Sequence, residues 1–570
     1  MFDTFHFIGL KQGYSILDDS EDTRAEIGGK ALGLLSMQNA LSEINGSIPG
    51  ITVDIPSFTV VGTSVFEAFI ERNDLADIAR SDMPDERITY AFMNADMPFE
   101  VLGELRNLVM NLTTPLAVRS SGFLEDAARR PFAGVYATKM IPNNQHDPDV
   151  RFRKLLEAIK FVWASTFFKI SKDYCRATGL DICTEKMAVI LQNMVGKRHS
   201  DHYYPELSGV ARSFNYYPIK PARPQDGVVD LALGLGKTIV DGGKTWSFSP
   251  AYPKRPPPFE SVDEIFSETQ NEFWVVNMGE LPEYDPIKET EYMQRLNLQA
   301  AEEDDVLQYL ASTYDPISER FSAGLGFKGP RALTFAPLLA LDILPLNLLI
   351  KSVLACCEKT LRTPVEIEFA MTFNPHHFAL LQVRPMVIPT VHLQVSDRDL
   401  SNSKNLAASE LVLGNGSVND IVDVVYVKPD KFELKYTRQI AEELEIINRH
   451  LLMEERPYIL IVFGRLGTFD PWLGIPVTWG QVCGAKVIVE ATQENVKVEL
   501  SQGSHYFHNI INLGVLYFSM PFNCPRRVKW KWLEKQKIVR DMEFVRQIQT
   551  PLPFKIKVDG RSGRGVICCP

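Results

Sequence analysis

"PLAVRSSGFLEDAARRPFAG", residues 115–134, places an arginine and two serines directly after a short apolar run, followed by a Glu-Asp pair and two more arginines. Arg119 follows Leu-Ala-Val, so we expect it at the end of a strand, where side chains point into a crevice in α/β proteins. An arginine there can bind phosphate oxygens in a bidentate manner, and Ser120 and Ser121 can donate hydrogen bonds. The alternative, a more common use of such residues, is a charged loop in which Arg119 pairs with the nearby acidic residues.

A second informative stretch, "VEIEFAMTFNPHHFALLQVRP", residues 365–385, contains two β runs separated by an Asn-Pro turn, which is typical of a hairpin. Glu366 and Glu368 alternate by two, so they share one face, and Gln382 and Arg384 are expected on the partner strand. Two carboxylates and an amide oxygen suit Mg²⁺, which binds hard oxygen ligands together with nucleotide phosphates. An exposed strand face with a Glu-Arg pair is an equal alternative for this segment alone.

Three glycine-containing stretches are each followed by a lysine, namely Gly28-Gly29-Lys30, Gly234-Leu235-Gly236-Lys237 and Gly242-Gly243-Lys244. Small residues allow backbone N–H groups to approach phosphate oxygens, and the lysine adds a positive charge. Taken singly, such a sequence is more often an ordinary turn with a solvated lysine. None of the three matches the GxxxxGK[ST] or GxGxxG pattern.

The composition bounds the kind of protein. A chain of 570 residues with 45% hydrophobic residues predicts about three or four folding units. A formal net charge of -11 and a pI near 5.6 provide no broad attraction for nucleic acid or an acidic membrane surface. We therefore expect no nucleic-acid or membrane partner, and any anion site must be local.

The sequence predicts a cytoplasmic protein. The N-terminal stretch lacks the pattern of a secretory signal. The most apolar long stretch, residues 332–357, is interrupted by prolines and polar residues that a lipid-spanning helix rarely accepts, so it indicates a loop and a buried helix. The eight cysteines show no CxxC or Cys/His ligand spacing, which favours reduced thiols and gives a structural zinc site little support.

Periodicity and composition predict an α/β (α+β) chain with several domains. Strand-like runs at 186–195, 207–215 and 227–236 alternate with helical patterns. We expect an N-terminal subdomain at 1–195 and a second subdomain with the hairpin at 196–392. The polar sequence "SDRDLSNSKNLAASE" indicates a linker at 393–408, and a smaller α/β domain at 409–570 follows it.

The order of the motifs carries more information than any one of them. In chain order they are "EIGGKALGLLSM", "PLAVRSSGFLEDAARRPFAGVYAT", "MAVILQNMV", "SGVARSFN", "LALGLGKTIVDGG" and "VEIEFAM…FALLQVRPM". This succession, over about residues 20–390, resembles the N-terminal ATP-binding region of the phosphoenolpyruvate synthase and pyruvate phosphate dikinase family. The resemblance implies an ATP-grasp nucleotide-binding fold that takes ATP and Mg²⁺.

The resemblance also implies roles for individual residues. Lys30 and Arg119 correspond to residues that contact the ATP phosphates and take part in catalysis. Glu368 and Gln382 correspond to the metal and phosphate site, with Glu366 in support. The other positions that the resemblance assigns to nucleotide binding are Gly29, Ser120, Gln192, Met194, Val195, Gly234, Gly236 and Arg384. Among these, Gln192, Met194 and Val195 fall on the strand that borders the adenine.

Three departures from the family pattern suggest a divergent branch. Lys237 follows "GLG" where the family commonly has a glutamate, which is a reversal of charge. Val135 stands where a glutamine often follows "FAG". Arg212 stands where the family tends to place a hydrophobic or aromatic residue.

The resemblance ends before the C-terminal part of the chain. Family members phosphorylate a histidine on a mobile domain and pass the phosphate to pyruvate in a TIM barrel. Residues 400–570 contain no "TxHAAI"-like motif, and about 170 residues are fewer than the about 250 that such a barrel takes. His505 and His508 lie three apart, which fits a phosphate acceptor or general base, or more commonly residues of a packed domain.

The sequence therefore predicts an ATP- and Mg²⁺-dependent phosphotransferase of the synthase/dikinase type, with the ATP-binding part alone recognisable. Its acceptor would be a histidine of another protein or domain. Full resemblance implies transfer of the β-phosphoryl group. The alternatives are a regulatory or interaction protein that binds ATP with reduced catalysis, and a small-molecule ligase on the same fold.

Overall fold

In a computed structural model, the described residues form two compact units, Met1–Lys172 with Asp181–Met386 (unit 1) and Asp173–Leu180 with Val387–Pro570 (unit 2). The structure describes residues 5–10, 21–44, 46, 48–123, 125, 135–178, 181–216, 218–257, 259, 261–280, 282–386, 393–467, 474–493, 514–522, 526–560 and 562–570. Within these ranges, no helix combines the length and apolarity that a bilayer crossing requires.

Unit 1 contains most of the secondary structure. Its strands are β1 Phe5–Ile8, β2 Thr52–Asp54, β3 Phe58–Val61, β4 Leu116–Gly122, β5 Thr138–Ile141, β6 Met187–Asn193, β7 Lys197–His199, β8 His202–Tyr204, β9 Leu207–Arg212, β10 Val228–Ala232, β11 Trp246–Phe248, β12 Glu272–Asn277, β13 Met293–Asn297, β14 Ala311–Asp315, β15 Arg320–Ala323, β16 Arg331–Leu333, β17 Val365–Phe373 and β18 His376–Pro385. Its helices are α1 Glu21–Ile44, α2 Thr63–Arg72, α3 Ala76–Arg80, α4 Asp85–Asn94, α5 Phe99–Asn111, α6 Pro148–Ser165, α7 Lys169–Thr178, α8 Lys237–Val240, α9 Val262–Glu268, α10 Leu298–Glu303, α11 Ala336–Leu339 and α12 Leu346–Leu361, and the boundary with unit 2 falls within α7.

The first sheet of unit 1 has the strand order β1-β3-β6-β4-β5. Its buried strand β6 confirms the strand predicted at 186–195. Arg119 was expected at a strand end, but it lies in the middle of β4, opposite Ile190 of β6 and Thr138 of β5. The prediction was wrong because Ser120, Ser121 and Gly122 continue the pairing with β6 instead of leaving the sheet.

The second sheet of unit 1 has the order β11-β10-β9-β17-β18-β2. Its strands β17 and β18 form the predicted hairpin, and Glu366 pairs with Arg384 and Glu368 with Gln382. Val365, Ile367 and Phe369 alternate with these glutamates and are buried. The hairpin therefore has one apolar face in the core and one polar face.

The main core of unit 1 lies on the apolar face of this second sheet. Helices α1 and α12 cover it with buried side chains such as Leu34 and Leu349. The apolar stretch 332–357 consists of the end of β16, the short α11 and most of α12. Two smaller antiparallel sheets, β13-β12-β8-β7 and β15-β14-β16, complete the unit.

Unit 2 is a separate α/β arrangement. Its strands are β19 Asn405–Ser409, β20 Val412–Leu413, β21 Gly416–Val418, β22 Asp423–Val427, β23 Tyr458–Phe463, β24 Arg465–Leu466, β25 Gly474–Ile475, β26 Ala485–Ala491, β27 Leu516–Met520, β28 Lys537–Asp541, β29 Val545–Gln549, β30 Lys555–Asp559 and β31 Arg564–Cys568, and its helices are α13 Asp397–Leu400, α14 Thr437–Met453 and α15 Trp530–Leu533. The largest sheet, β20-β27-β26-β23-β22-β29-β28, has a parallel centre formed by β22, β23, β26 and β27. A four-stranded sheet, β19-β31-β30-β21, accompanies it.

The segment predicted as a linker, 393–408, has regular structure in unit 2. Ser396 caps α13 by accepting a hydrogen bond from the Asp399 backbone N–H, and Asn405 begins β19, which pairs with β31. Some of its polar side chains thus serve in helix capping and at the start of a strand. The domain boundaries drawn from the sequence remain a prediction.

Candidate functional site

Arg119 connects the two large sheets of unit 1. Its Nη1 donates to Gln192 Oε1 of β6 at 2.9 Å and to the Leu381 carbonyl of β18 at 2.7 Å. Its Nη2 donates to Gln382 Oε1 at 2.6 Å and lies 3.6 Å from Glu368 Oε2. The side chain of Arg119 is 11% exposed, so the guanidinium is held where β4 and the hairpin face each other.

Lys30 contacts β4 at Ser120, the residue that follows Arg119. Its Nζ lies 2.5 Å from Glu125 Oε1 and 3.2 Å from Ser120 Oγ. Glu125 is buried and also accepts hydrogen bonds from Ser120 Oγ and from the Gly122 backbone N–H, each at 3.0 Å. Glu125 is one of the nearby acidic residues with which the sequence could pair Arg119, but in the structure it pairs with Lys30.

The turn into α1 is fixed by a glycine. Gly28 has a φ of 76°, and a Cβ at this position would lie 1.8 Å from the Ser121 carbonyl oxygen. Ser121 Oγ donates to the Ile27 carbonyl and accepts from the Ala31 backbone N–H. This close approach places the buried Gly29 and the partly buried Lys30 against β4.

The polar face of the hairpin carries the predicted metal site. The oxygens of Glu368 and Gln382 are hard ligands of the kind that Mg²⁺ takes, and both lie beside Arg119. Among the described residues there is no group of three or more His, Cys, Asp or Glu side chains arranged for a metal ion. A cation held here would therefore need ligands from outside the described residues as well.

Glu366 has a different environment. Its Oε2 accepts from Arg212 Nε at 2.6 Å, and its Oε1 accepts from Arg384 Nη2. Arg212 also bonds Asp230 Oδ2 at 2.8 Å. Both oxygens of Glu366 are thus engaged by guanidinium groups, whereas Arg119 lies 3.6 Å from one oxygen of Glu368. Glu368 is therefore the better-placed carboxylate on the hairpin, with Gln382 Oε1 beside it and bonded to Arg119.

The three positions predicted for the adenine lie in three different environments. Gln192 bonds Arg119, and its Nε2 has no acceptor in the described part of the chain. Val195 packs against Ala370 and Ala379 of the hairpin. Met194 packs instead against a second apolar cluster, which contains Leu235 of the second glycine stretch.

The second glycine stretch follows β10. Gly234 has a φ of 78°, and a Cβ there would lie 2.7 Å from the Trp274 carbonyl oxygen. The Leu235 backbone N–H donates to that same oxygen at 3.0 Å. The close packing of this turn onto β12 thus explains why residue 234 is a glycine. Gly236, which precedes α8, has room for a side chain.

Lys237 is neutralised by its neighbours. Its Nζ lies 3.1 Å from Asp241 Oδ2 and 3.9 Å from Glu289 Oε1. Burial raises the pKa of both carboxyl groups, and the lysine opposes that shift. The charge reversal seen in the sequence is therefore compensated within the fold.

The structure brings Arg119, Gln192, Glu368 and Gln382 into one group. It places Lys30 with Ser120 and Glu125 in a second group on the neighbouring part of β4. Sequence reasoning missed the link between Glu125 and Lys30 and the buried pair of Arg212 with Asp230. The only signal for the latter was the unusual arginine at 212. His505 and His508 lie outside the described residues.

Comparison with known proteins identifies the family. The family model "Pyruvate phosphate dikinase, AMP/ATP-binding domain" matches residues 24–399, which contain every residue of this site. The chain belongs to this family. The resemblance predicted from the motifs is thereby confirmed, and the described architecture is mixed α/β, as predicted.

Similar proteins from three organisms match part of this dikinase-family chain. A rifampicin phosphotransferase from Streptomyces sviceus is 27% identical over 237 residues, which is 39% of this chain and 24% of the relative. A phosphoenolpyruvate synthase from Aeropyrum pernix is 27% identical over 247 residues, 40% of this chain and 27% of the relative. A rifampicin phosphotransferase from Bacillus cereus is 26% identical over 245 residues, 40% of this chain and 25% of the relative. The matched region thus spans about a quarter of the length of these curated relatives.

Proposed function

We propose that unit 1 is an ATP-grasp domain that binds ATP with Mg²⁺ and transfers a phosphoryl group. The observation that carries the proposal is the position of Arg119, which donates to Gln192 on one sheet and to Gln382 on the other. A largely buried guanidinium that joins the two sheets beside a carboxylate is suited to a polyphosphate, and Lys30 adds a positive charge at the next residue of β4, Ser120. The match to an AMP/ATP-binding domain family supports the same ligand.

In this proposal the chain acts by positioning and by neutralising charge, which is how phosphoryl transfer is generally catalysed. Lys30 and Arg119 hold phosphate oxygens, and Glu368 and Gln382 hold the cation. Mg²⁺, when bound, neutralises charge on the phosphates. The low exposure of Arg119 keeps water away, which strengthens each of these interactions.

The acceptor class is a further part of the proposal. The chain would pass the phosphoryl group to a histidine of another protein or domain. The names of the relatives suggest two small molecules to test as acceptors, rifampicin and pyruvate.

Product analysis tests the proposal. The protein is incubated with Mg-ATP, alone and with each acceptor, and the nucleotide products are read by phosphorus NMR. AMP indicates dikinase-type transfer, whereas ADP formed only with a carboxylate and an acceptor indicates a ligase. Arg119→Ala and Glu368→Gln should each abolish turnover while circular dichroism shows an intact fold.

A second candidate is a regulatory or interaction protein that binds ATP without turnover. The observation that favours it is that Arg212 and Arg384 donate to both oxygens of Glu366, so fewer carboxylates are available to bind a metal. Tight Mg-ATP binding with no AMP or ADP formed, whatever acceptor is supplied, would support the regulatory protein and contradict the phosphotransferase.

A further inference from the structure

Beyond the Glu368–Gln382 pair, the polar face of the second sheet ends in a buried ionic cluster. It consists of Arg212 on β9, Asp230 on β10, Glu366 on β17 and Arg384 on β18. Their side chains are between 3% and 9% exposed. Two guanidinium groups are therefore held side by side on one carboxylate.

Arg212 does not use all its donors within this cluster. Its Nε donates to Glu366 and its Nη1 to Asp230, but its Nη2 is buried and has no hydrogen-bond partner among the residues that the structure describes. A buried donor on a charged group is costly to leave unsatisfied. An arginine of this kind is suited to an oxygen of an anionic ligand.

The register shows where the cluster lies along the cleft. Directly opposed residues share a face, so Arg212 opposite Glu366 and Val210 opposite Glu368 lie on the same face of the sheet. Along β17, Ala370 packs against Val195, the proposed base end, and Glu368 and then Glu366 follow at intervals of about 7 Å. The cluster thus lies at the end of the cleft opposite the base.

We propose that Arg212, together with Arg384, binds a phosphate oxyanion at this far end of the cleft. The inference rests on the proposed function, because nucleotide binding sets which end the terminal phosphate reaches. The oxyanion is the terminal phosphate of ATP or a free phosphate ion, which present the same chemistry. Arg212 is thus a specificity residue that distinguishes ATP from shorter nucleotides or admits phosphate as a second ligand.

The test uses the full chain with a charge-balanced variant, Arg212→Met/Asp230→Asn. Removing Arg212 alone would leave buried carboxylates unpaired, whereas the double variant keeps the Glu366–Arg384 pair. The matched control is Arg331→Met/Glu302→Gln, which removes another ion pair of unit 1. Calorimetry then gives the affinities of AMP, ADP, ATP and inorganic phosphate in the presence of Mg²⁺.

The proposal predicts that the double variant loses about tenfold or more of the affinity for ATP or for inorganic phosphate, with AMP binding unchanged and the control like wild type. Loss with ATP alone identifies the terminal phosphate as the source, and loss with inorganic phosphate identifies a separate ion site. Equal affinities in variant and wild type, or an equal loss for AMP, would overturn the proposal.

Failure of the proposed function is distinguishable in the same experiment. If the wild type binds no nucleotide, the proposed function fails, but inorganic phosphate still decides the subsite. If the wild type binds inorganic phosphate and the double variant does not, the phosphate subsite is supported. If the wild type binds no phosphate, the subsite proposal is overturned. If circular dichroism shows that the double variant is unfolded, Arg212→Lys carries the same test, because it keeps the charge and loses the planar fork.

Discussion

At the scale of single residues, Arg119 determines how the site is assembled. It lies in the middle of β4, and its donors reach β6 and β18, which are 73 and 262 positions away along the chain. A lysine would keep the charge but offers no planar fork for three acceptors. The assembly of the candidate site thus depends on one guanidinium more than on any local motif.

Gly28 gives a prediction at the same scale. Gly28→Ala should lower the free energy of unfolding of unit 1 by about 2 kcal/mol, because the new Cβ meets the Ser121 carbonyl and the backbone has a positive φ. Urea unfolding measures the change. Gly103→Ala is the control, since Gly103 lies in α5 with open space around its Cα, and it should not destabilise the protein. Equal effects of the two substitutions would contradict the proposed role of the glycine.

At the scale of elements, the sequence predicted local pairs better than distant ones. The hairpin, with Gln382 and Arg384 on the strand next to Glu366 and Glu368, followed from the alternation of strand residues across a short turn. The contact of Arg212 with Glu366 joins β9 to β17 across 154 positions, and no local pattern sets that register. For the same reason the sequence gives only nearby partners, such as Arg119, as alternatives for Glu125, whereas the fold brings Lys30 of α1 to it.

Strand β26 of unit 2 provides a prediction of pH dependence. Burial raises the pKa of Glu490 to about 7, and the Leu466 backbone N–H and the Tyr517 hydroxyl offset part of that shift. The folded state therefore binds more protons than the unfolded state between about pH 4.5 and 7, so the stabilising contribution of the protonated group is lost as the pH rises through this window.

Glu490→Gln should remove this dependence. Relative to the variant, the wild type should lose about 3 kcal/mol of unfolding free energy between pH 4.5 and pH 8. Unfolding of unit 2 at several pH values measures the difference. A wild-type protein that gains stability relative to the variant as the pH rises would refute the assignment.

At the scale of the whole molecule, the chain combines an ATP-binding domain of the dikinase family with a second unit that has its own sheets. A ligand that binds the folded state of one unit stabilises that unit by mass action. We therefore predict two transitions in scanning calorimetry, one for each unit. Mg-ATP should raise the transition temperature of unit 1 alone, since a hundredfold excess of ligand over Kd adds about 2.7 kcal/mol to its free energy of unfolding. A single transition that Mg-ATP shifts as a whole would contradict this prediction and show that the units unfold as one.

The most direct test of the central claim, that ATP binds where Arg119 joins the two sheets, is a calorimetric titration with ATP. Wild type, Arg119→Ala and the control Arg72→Ala, which removes an exposed pair with Glu100, are compared with and without Mg²⁺. The account predicts Mg²⁺-dependent binding by the wild type and the control and at least a tenfold loss of affinity in Arg119→Ala. Wild-type affinity in a folded Arg119→Ala variant would contradict it.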